Sequence, residues 1–325
     1  MPLPARLAAA LARRAPLAVD PRTNAYRLIN READGFPDLA VDRYADVLVA
    51  HLYSHGRRAE PPSALLESLC ERTDAQSVYL KYRPDQASAL SEAERAALAP
   101  PEPLLGRKVD ELEVMENGVR YAVRPGDGLS TGLFLDMREA RAWVRGHAAG
   151  QTVLNCFAYT CGFGLAALLG GAARAANLDV SRRYLDWGRA NAARNGLATE
   201  ARDYIFGDVF DWLGRFGRAG TTFDGVILDP PSYSTTKKSR WVLERDYAAL
   251  VTLAAAVVRS GGWLLACANT HGLSAKAFTA QVRQGLAGAS AGGFRLDPME
   301  HEPALDFPLA PGQPPYLKIC RIWLA

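Results

Sequence analysis

A chain of 325 residues with a 49% hydrophobic content is long enough for two domains of ordinary size, each with a real core. Its net charge of +3 excludes a globally basic, polyanion-coating protein, so any nucleic-acid contact must be local. No apolar run approaches the length of a membrane span. Five cysteines with no CxxC pair argue against a disulfide framework or a zinc site, so no metal is expected and a reducing cytoplasm fits best.

The start, Met1 to Pro16, is rich in Ala and Arg and lacks acids. That composition overlaps with transit peptides, and the plainer reading is a short amphipathic helix within residues 1–20. Strands are predicted at Tyr26–Ile29, Leu39–Val41, Val47–Leu52 and Ser77–Leu80, with a helix from Pro61 to Arg72. Asn117-Gly118 marks a type I′ hairpin between Val114 and Val119–Val123. Residues 21–123 therefore read as a small α+β domain. From Arg138 the rhythm becomes alternating. Strands at Val153–Cys156, Arg174–Asp179, Tyr204–Gly207, Phe223–Asp229 and Trp263–Ala268 are separated by helices at Gly164–Leu169, Arg182–Asn195, Val209–Phe216 and Trp241–Arg259. Gly196 is placed to stop the second of these helices. This pattern over residues 124–325 predicts an α/β domain with a mostly parallel, doubly wound sheet. The final strand, Tyr316–Leu324, has no obvious place in the order.

Ligands of such sheets collect at the carboxyl ends of the strands. Successive strands here end in Asn155, Asp179, Gly207-Asp208 and Asp229. For a nucleoside ligand, Gly162 admits close backbone near a helix start, Asp179 accepts from ribose hydroxyls, and Asp208 accepts from an exocyclic amine. Each acid alone also suits a loop, and Asp208 suits a helix cap. The segment Gly162-Phe-Gly-Leu-Ala-Ala167 formally matches GxGxxG/A, but Cys156 to Cys161 separate it from the strand, which disfavours a dinucleotide site. In Asp229-Pro230-Pro231-Ser232-Tyr233-Ser234 the two prolines fix φ and remove two backbone donors. The expected result is a rigid rim of outward-facing carbonyls plus the Asp229 side chain, with Tyr233 as a stacking face.

These residues resemble the bacterial 23S rRNA methyltransferases of the cytosine-C5/guanine-N7 group. The resemblance rests on Ser130-Thr-Gly-Leu-Phe-Leu-Asp-Met-Arg138, Val153 to Thr160, Asp229 to Ser234 and Pro315-Tyr-Leu-Lys318, with Tyr26 to Tyr44 similar to the family's middle domain. It implies a Rossmann-like class I fold and S-adenosylmethionine as methyl donor. It also implies contacts from Phe134, Asp136, Arg138, Asn155, Tyr159, Thr160, Gly162, Asp179, Asp208 and Asp229, and 23S rRNA or a large-subunit precursor as partner. The family's cytosine enzymes usually begin with an RNA-binding PUA domain, and this chain starts too late to hold one. RNA contact is then expected from the small domain and from Lys237, Lys238 and Arg240.

Cytosine C5 is a poor nucleophile and needs a thiolate to add at C6. Counted from Gly261-Gly262, the family's thiol position holds Asn269; Cys267 lies two residues earlier on the same strand face, about 6.5 Å away. Guanine N7 carries an in-plane lone pair and needs only positioning. Asp229, Pro230, Tyr233 and Asn269 are therefore assigned to a base-facing site that favours guanine N7, with cytosine C5 as the alternative. A methyltransferase acting on protein or a small molecule, and a non-enzymatic RNA-binding assembly factor, stay open beside it.

Overall fold

A computed structural model describes residues 3–54, 60–84, 94, 97–235, 240–289 and 293–325. The chain forms two compact units. The first is residues 1–138 with 303–314, and the second is 139–302 with 315–325. Relative to the expected division after Val123, the first unit keeps the following loop and also takes in a late segment around Asp306.

The first unit opens with helix α1 (Leu3–Ala18) and continues through β1 (Ala25–Asn30), β2 (Leu39–Tyr44), β3 (Val47–Ser54), α2 (Ser63–Thr73), β4 (Ser77–Pro84) and β5 (Leu105–Gly106), which form one sheet in that strand order. Only β3 and β4 pair in parallel, as the crossover through α2 requires. Leu7, Ala10, Leu65, Leu66 and Leu69 of the helices share a core with Leu28, Val41, Ala50 and Val78 of the sheet. β6 (Leu112–Glu116) and β7 (Val119–Val123) form the expected hairpin. Asn117 and Gly118 both have positive φ, at 51° and 79°, as a type I′ turn demands.

The other sheet face carries charge. Arg27 donates to both oxygens of Asp42, at 2.7 and 3.2 Å, and His51 Nε2 lies 2.9 Å from Asp42 Oδ2. Arg83 approaches His51 Nδ1 at 3.3 Å. Arginine only donates, so Nδ1 is the acceptor and Nε2 carries the proton toward Asp42. Burial, with Arg83 and Arg27 nearby, pushes the His51 pKa down to about 4 against the pull of Asp42. Burial works to raise the Asp42 carboxyl, yet Arg27 and His51 hold it well below the usual range. This face grips the loop after β7. Lys81 donates to Gly128 O, Arg83 to Leu129 O at 2.7 Å, and Tyr44 to Leu133 O at 3.2 Å. Asp306 is tied in by Arg138 through two bonds of 2.8 and 2.6 Å, both side chains being buried.

The second unit runs α3 (Arg138–His147), β8 (Thr152–Cys156), α4 (Gly162–Leu169), β9 (Arg174–Asp179), α5 (Arg182–Arg194), β10 (Tyr204–Phe206), α6 (Val209–Arg218), β11 (Phe223–Leu228), β12 (Tyr233–Thr235), β13 (Arg240–Val242), α7 (Leu243–Ala255), β14 (Val258–Asn269), α8 (Ala275–Ala289), β15 (Phe294–Leu296) and β16 (Leu317–Leu324). Its seven-stranded sheet has the order β10-β9-β8-β11-β14-β16-β15. The first five strands of that order are parallel, and β16 enters antiparallel between β14 and β15. The Rossmann-like expectation is met, and the last strand gains its place. α5 ends at Gly196, with φ of 69° and Leu197 N–H bonded to Ala192 O, a left-handed C-terminal cap. Trp241 was expected in a helix but belongs to β13, paired with Ser234. Its indole N–H instead bonds Pro231 O at 2.7 Å.

His51 stays neutral in the fold down to about pH 4, whereas in the unfolded chain it charges near pH 6.5. Between those values the unfolded chain binds the extra proton, so stability falls as pH drops through this window. Urea unfolding at stepped pH should show a stability advantage over His51→Gln that shrinks by up to about 3 kcal/mol from pH 7 to pH 4.

Candidate active site at the carboxyl edge of the parallel sheet

The strand order reverses between β8 and β11, so the crevice beyond their carboxyl ends is where this topology places a ligand. The turn leaving β8 is strained. Phe157, Tyr159 and Cys161 have φ of 57°, 49° and 63°, three of the seven non-glycine residues with positive φ among the described residues. The sequence reading looked to Gly162 for close backbone approach and missed these three, since no residue type announces them. β9 holds the turn: Ala158 N–H bonds Leu178 O at 3.0 Å, and Tyr159 N–H bonds Asp179 Oδ2 at 2.9 Å. The Tyr159 ring meets Tyr184 edge-on at 4.5 Å, and Thr160 is buried with its carbonyl accepting from Asn191. α4 opens at Gly162, two residues before the expected start at Gly164.

Asp179 stands at the end of β9 with its other oxygen, Oδ1, accepting from Ser181 N–H at 2.8 Å. Burial raises its carboxyl above the usual range, opposed by the backbone donors of Tyr159, Ser181 and Val180. Each oxygen keeps further acceptor capacity for a pair of hydroxyls. Asp208 caps α6, its Oδ1 accepting from Phe210 and Asp211 N–H at 2.9 and 3.3 Å. The capping reading is thus correct for that oxygen. Two exposed apolar residues escaped the sequence reading: Val180 at 55% exposure and Phe206 at 45%. Phe206 pairs with Asp179 across β9 and β10, so both lie beside the strand-end acids, and the Arg182 guanidinium stands over the Phe206 ring at 4.2 Å from its centroid. Their unburied apolar surface at strand ends is a signal only the fold reveals.

Asn155 is buried, and its amide donates to Asn177 Oδ1 at 3.0 Å, beneath α4 rather than at the strand end. Of the other residues that the resemblance implies as contacts, Phe134 is 46% exposed and Asp136 is buried, both in the first unit. Arg138 is committed to Asp306 there, and a buried bidentate pair does not redirect to a ligand without breaking.

Beyond β11, Asp229 is half-buried and Pro230 buried. The rim of outward carbonyls is narrower than the prolines suggested. Pro231 O accepts from Trp241 and Ser232 O from Leu243 N–H, so these two serve the fold. Ser232 Oγ donates to Asn269 O at 2.5 Å and joins the Asp-Pro-Pro loop to the end of β14. Asn269 is exposed, whereas Cys267 is fully buried on the same strand face. Tyr233 and Arg240 lie in the β12–β13 hairpin, and Lys237 and Lys238 fall outside the described residues. Among the described residues no cluster of His, Cys, Asp and Glu suits a metal ion, and no helix is long and apolar enough to cross a membrane.

Gly164 faces Asn177 so closely that an added Cβ would stand 2.1 Å from Asn177 Oδ1. Gly164→Ala should therefore displace the Asn155–Asn177 pair and cost about 2 kcal/mol in urea unfolding, while Gly146→Ala, facing open space, should cost far less.

Residues 28–285 match a family model described as S-adenosylmethionine-dependent methyltransferase. The "Ribosomal RNA large subunit methyltransferase I" of Photobacterium profundum is 38% identical over 80% of this chain, and the chain spans 64% of that relative's length. The protein of the same name from Shewanella amazonensis is 34% identical, covering 98% of this chain and 80% of its own. A crystal structure of a methyltransferase complexed with SAH superposes with a TM-score of 0.86 at 26% identity, over 98% of this chain and 80% of that one. The chain belongs to the S-adenosylmethionine-dependent methyltransferase family, alongside the ribosomal RNA large subunit methyltransferases.

Proposed function

We propose that this protein methylates a base of 23S rRNA, and that the acceptor atom is guanine N7. The RNA part is supported by the names of relatives that align along almost the whole chain. The choice of atom is carried by one observation: the exposed end of β14 presents the Asn269 amide, while the neighbouring thiol of Cys267 is fully buried in the sheet. Addition to C6 of a cytosine requires an accessible thiolate. Guanine N7 needs orientation and an in-line approach alone.

Bound at the strand ends, S-adenosylmethionine supplies an electrophilic methyl group. Asp179 would accept from its ribose hydroxyls through capacity left on both carboxylate oxygens. Val180 and Phe206 would flank the adenine, and Asp208 would accept from the adenine amine while capping α6. The α4 N-terminus at Gly162, with Tyr159 and Thr160 in the turn before it, would meet the methionine end. Phe134 and Asp136 belong to the first unit, on the segment that Arg138 anchors through Asp306. Asp229 and Pro230 would receive the base's N–H groups, and Tyr233 would stack on it. Lys237, Lys238 and Arg240 would take the RNA phosphates.

Two variants test this assignment. Asp229→Ala should lower methyl transfer to undermodified rRNA by about a hundredfold or more, with SAH affinity by calorimetry unchanged; lost SAH affinity would move Asp229 from the base to the cofactor. Cys267→Ser should keep activity within about threefold, whereas loss of activity together with a trapped covalent RNA adduct in the wild type would install the cytosine chemistry.

A further inference from the structure

The residue after Asn269 is held from three directions. Thr270 N–H bonds Tyr316 O at 3.0 Å, its carbonyl accepts from Lys318 Nζ, and its hydroxyl lies 3.3 Å from Glu244 Oε1. Lys318 sits on β16 opposite Ala268, is 2% exposed, and also donates to Tyr316 O at 3.0 Å. Glu302, 6% exposed, accepts the N–H groups of Tyr316 and Leu317 at 3.2 and 3.3 Å. Burying an ammonium and a carboxylate is costly unless each is well partnered. Here both are spent on fixing the backbone at Thr270 and Tyr316.

That backbone presents two rings. His271 is exposed and Tyr316 half-buried, with centroids 5.7 Å apart at 53°, directly beyond Asn269 at the carboxyl edge of the sheet. These hydrogen bonds use the Tyr316 backbone. Methylating a base within RNA requires that base to leave its stack, which bares the faces of its neighbours. Aromatic rings cover such faces without regard to sequence.

We propose that the His271–Tyr316 rim is a stacking platform for the nucleotide next to the target base in an unpaired RNA strand. The proposal rests on the RNA-methyltransferase reading above. The Lys318–Glu302 clamp keeps the platform at a fixed offset from Asn269, so that seating the neighbour places the target.

The test is anisotropy of a fluorescein-labelled single-stranded RNA about a dozen nucleotides long, titrated with the full chain saturated with SAH. Tyr316→Ala and His271→Ala should each weaken binding by about tenfold, with SAH affinity unchanged; Tyr316→Phe should bind as the wild type does. A duplex of the same sequence should compete poorly, since its bases are already stacked. Equal binding by Tyr316→Ala and the wild type, or equal competition by the duplex, would overturn the platform. Absence of RNA binding by the wild type would instead bring down the RNA reading and the platform with it.

Discussion

The backbone N–H of Tyr159 donates to Asp179, and the carboxyl edge of the sheet takes its shape from that bond. Left-handed backbone costs a non-glycine residue about 1–2 kcal/mol, and the turn after β8 holds three such residues within five positions. Such a turn persists only where its surroundings over-determine it. The Asp179 carboxylate, the Leu178 carbonyl and the start of α4 do so here. Asp179 thus stands between the strained turn and α5, whose cap Ser181 it also receives. An acid bound this way is rigid before any ligand arrives, which is how a site gains affinity without new contacts.

The same economy recurs at the Asp229-Pro230-Pro231 loop. The prolines after Asp229 remove donors, Trp241 and Leu243 take up two of the carbonyls, and Ser232 ties the loop to Asn269. What faces outward is thereby reduced to a few groups on two adjacent strand ends. In the first unit a charged sheet face performs a comparable task. Asp42, His51, Arg27, Lys81 and Arg83 hold the loop that carries Phe134 and Asp136, through carbonyls at Gly128 and Leu129. Neutral His51 is what lets Arg83 donate to it while it donates to Asp42.

Much of the fold was legible because the parallel strands are short runs bounded by polar residues, and β9, β10 and β11 end at or just before an acid. Arg174–Asp179 was readable to the residue, and the Asn117-Gly118 turn carried its own chemistry. Helix α3 was not legible, since Arg138 and Arg141 occupy buried positions and break the apolar stripe; Arg138 is paired with Asp306, far along the chain. β16 was seen as a strand without a place, because its antiparallel pairing with β14 depends on a long excursion rather than on local sequence. At the site, the acids could be read but the positive φ values at Phe157, Tyr159 and Cys161 could not, and neither could the exposure of Val180 and Phe206. Those properties arise when strands align, not from residue type.

Direct attack by a ring nitrogen beside Asn269, proposed above with no thiol in play, has its own product to look for. The most direct measurement is mass-spectrometric mapping of modified nucleosides in 23S rRNA from a strain lacking this gene, against its parent. The expected result is the loss of a single 7-methylguanosine and its return when the gene is restored. Loss of a 5-methylcytidine instead would contradict it, and an unchanged nucleoside map would remove 23S rRNA as the substrate.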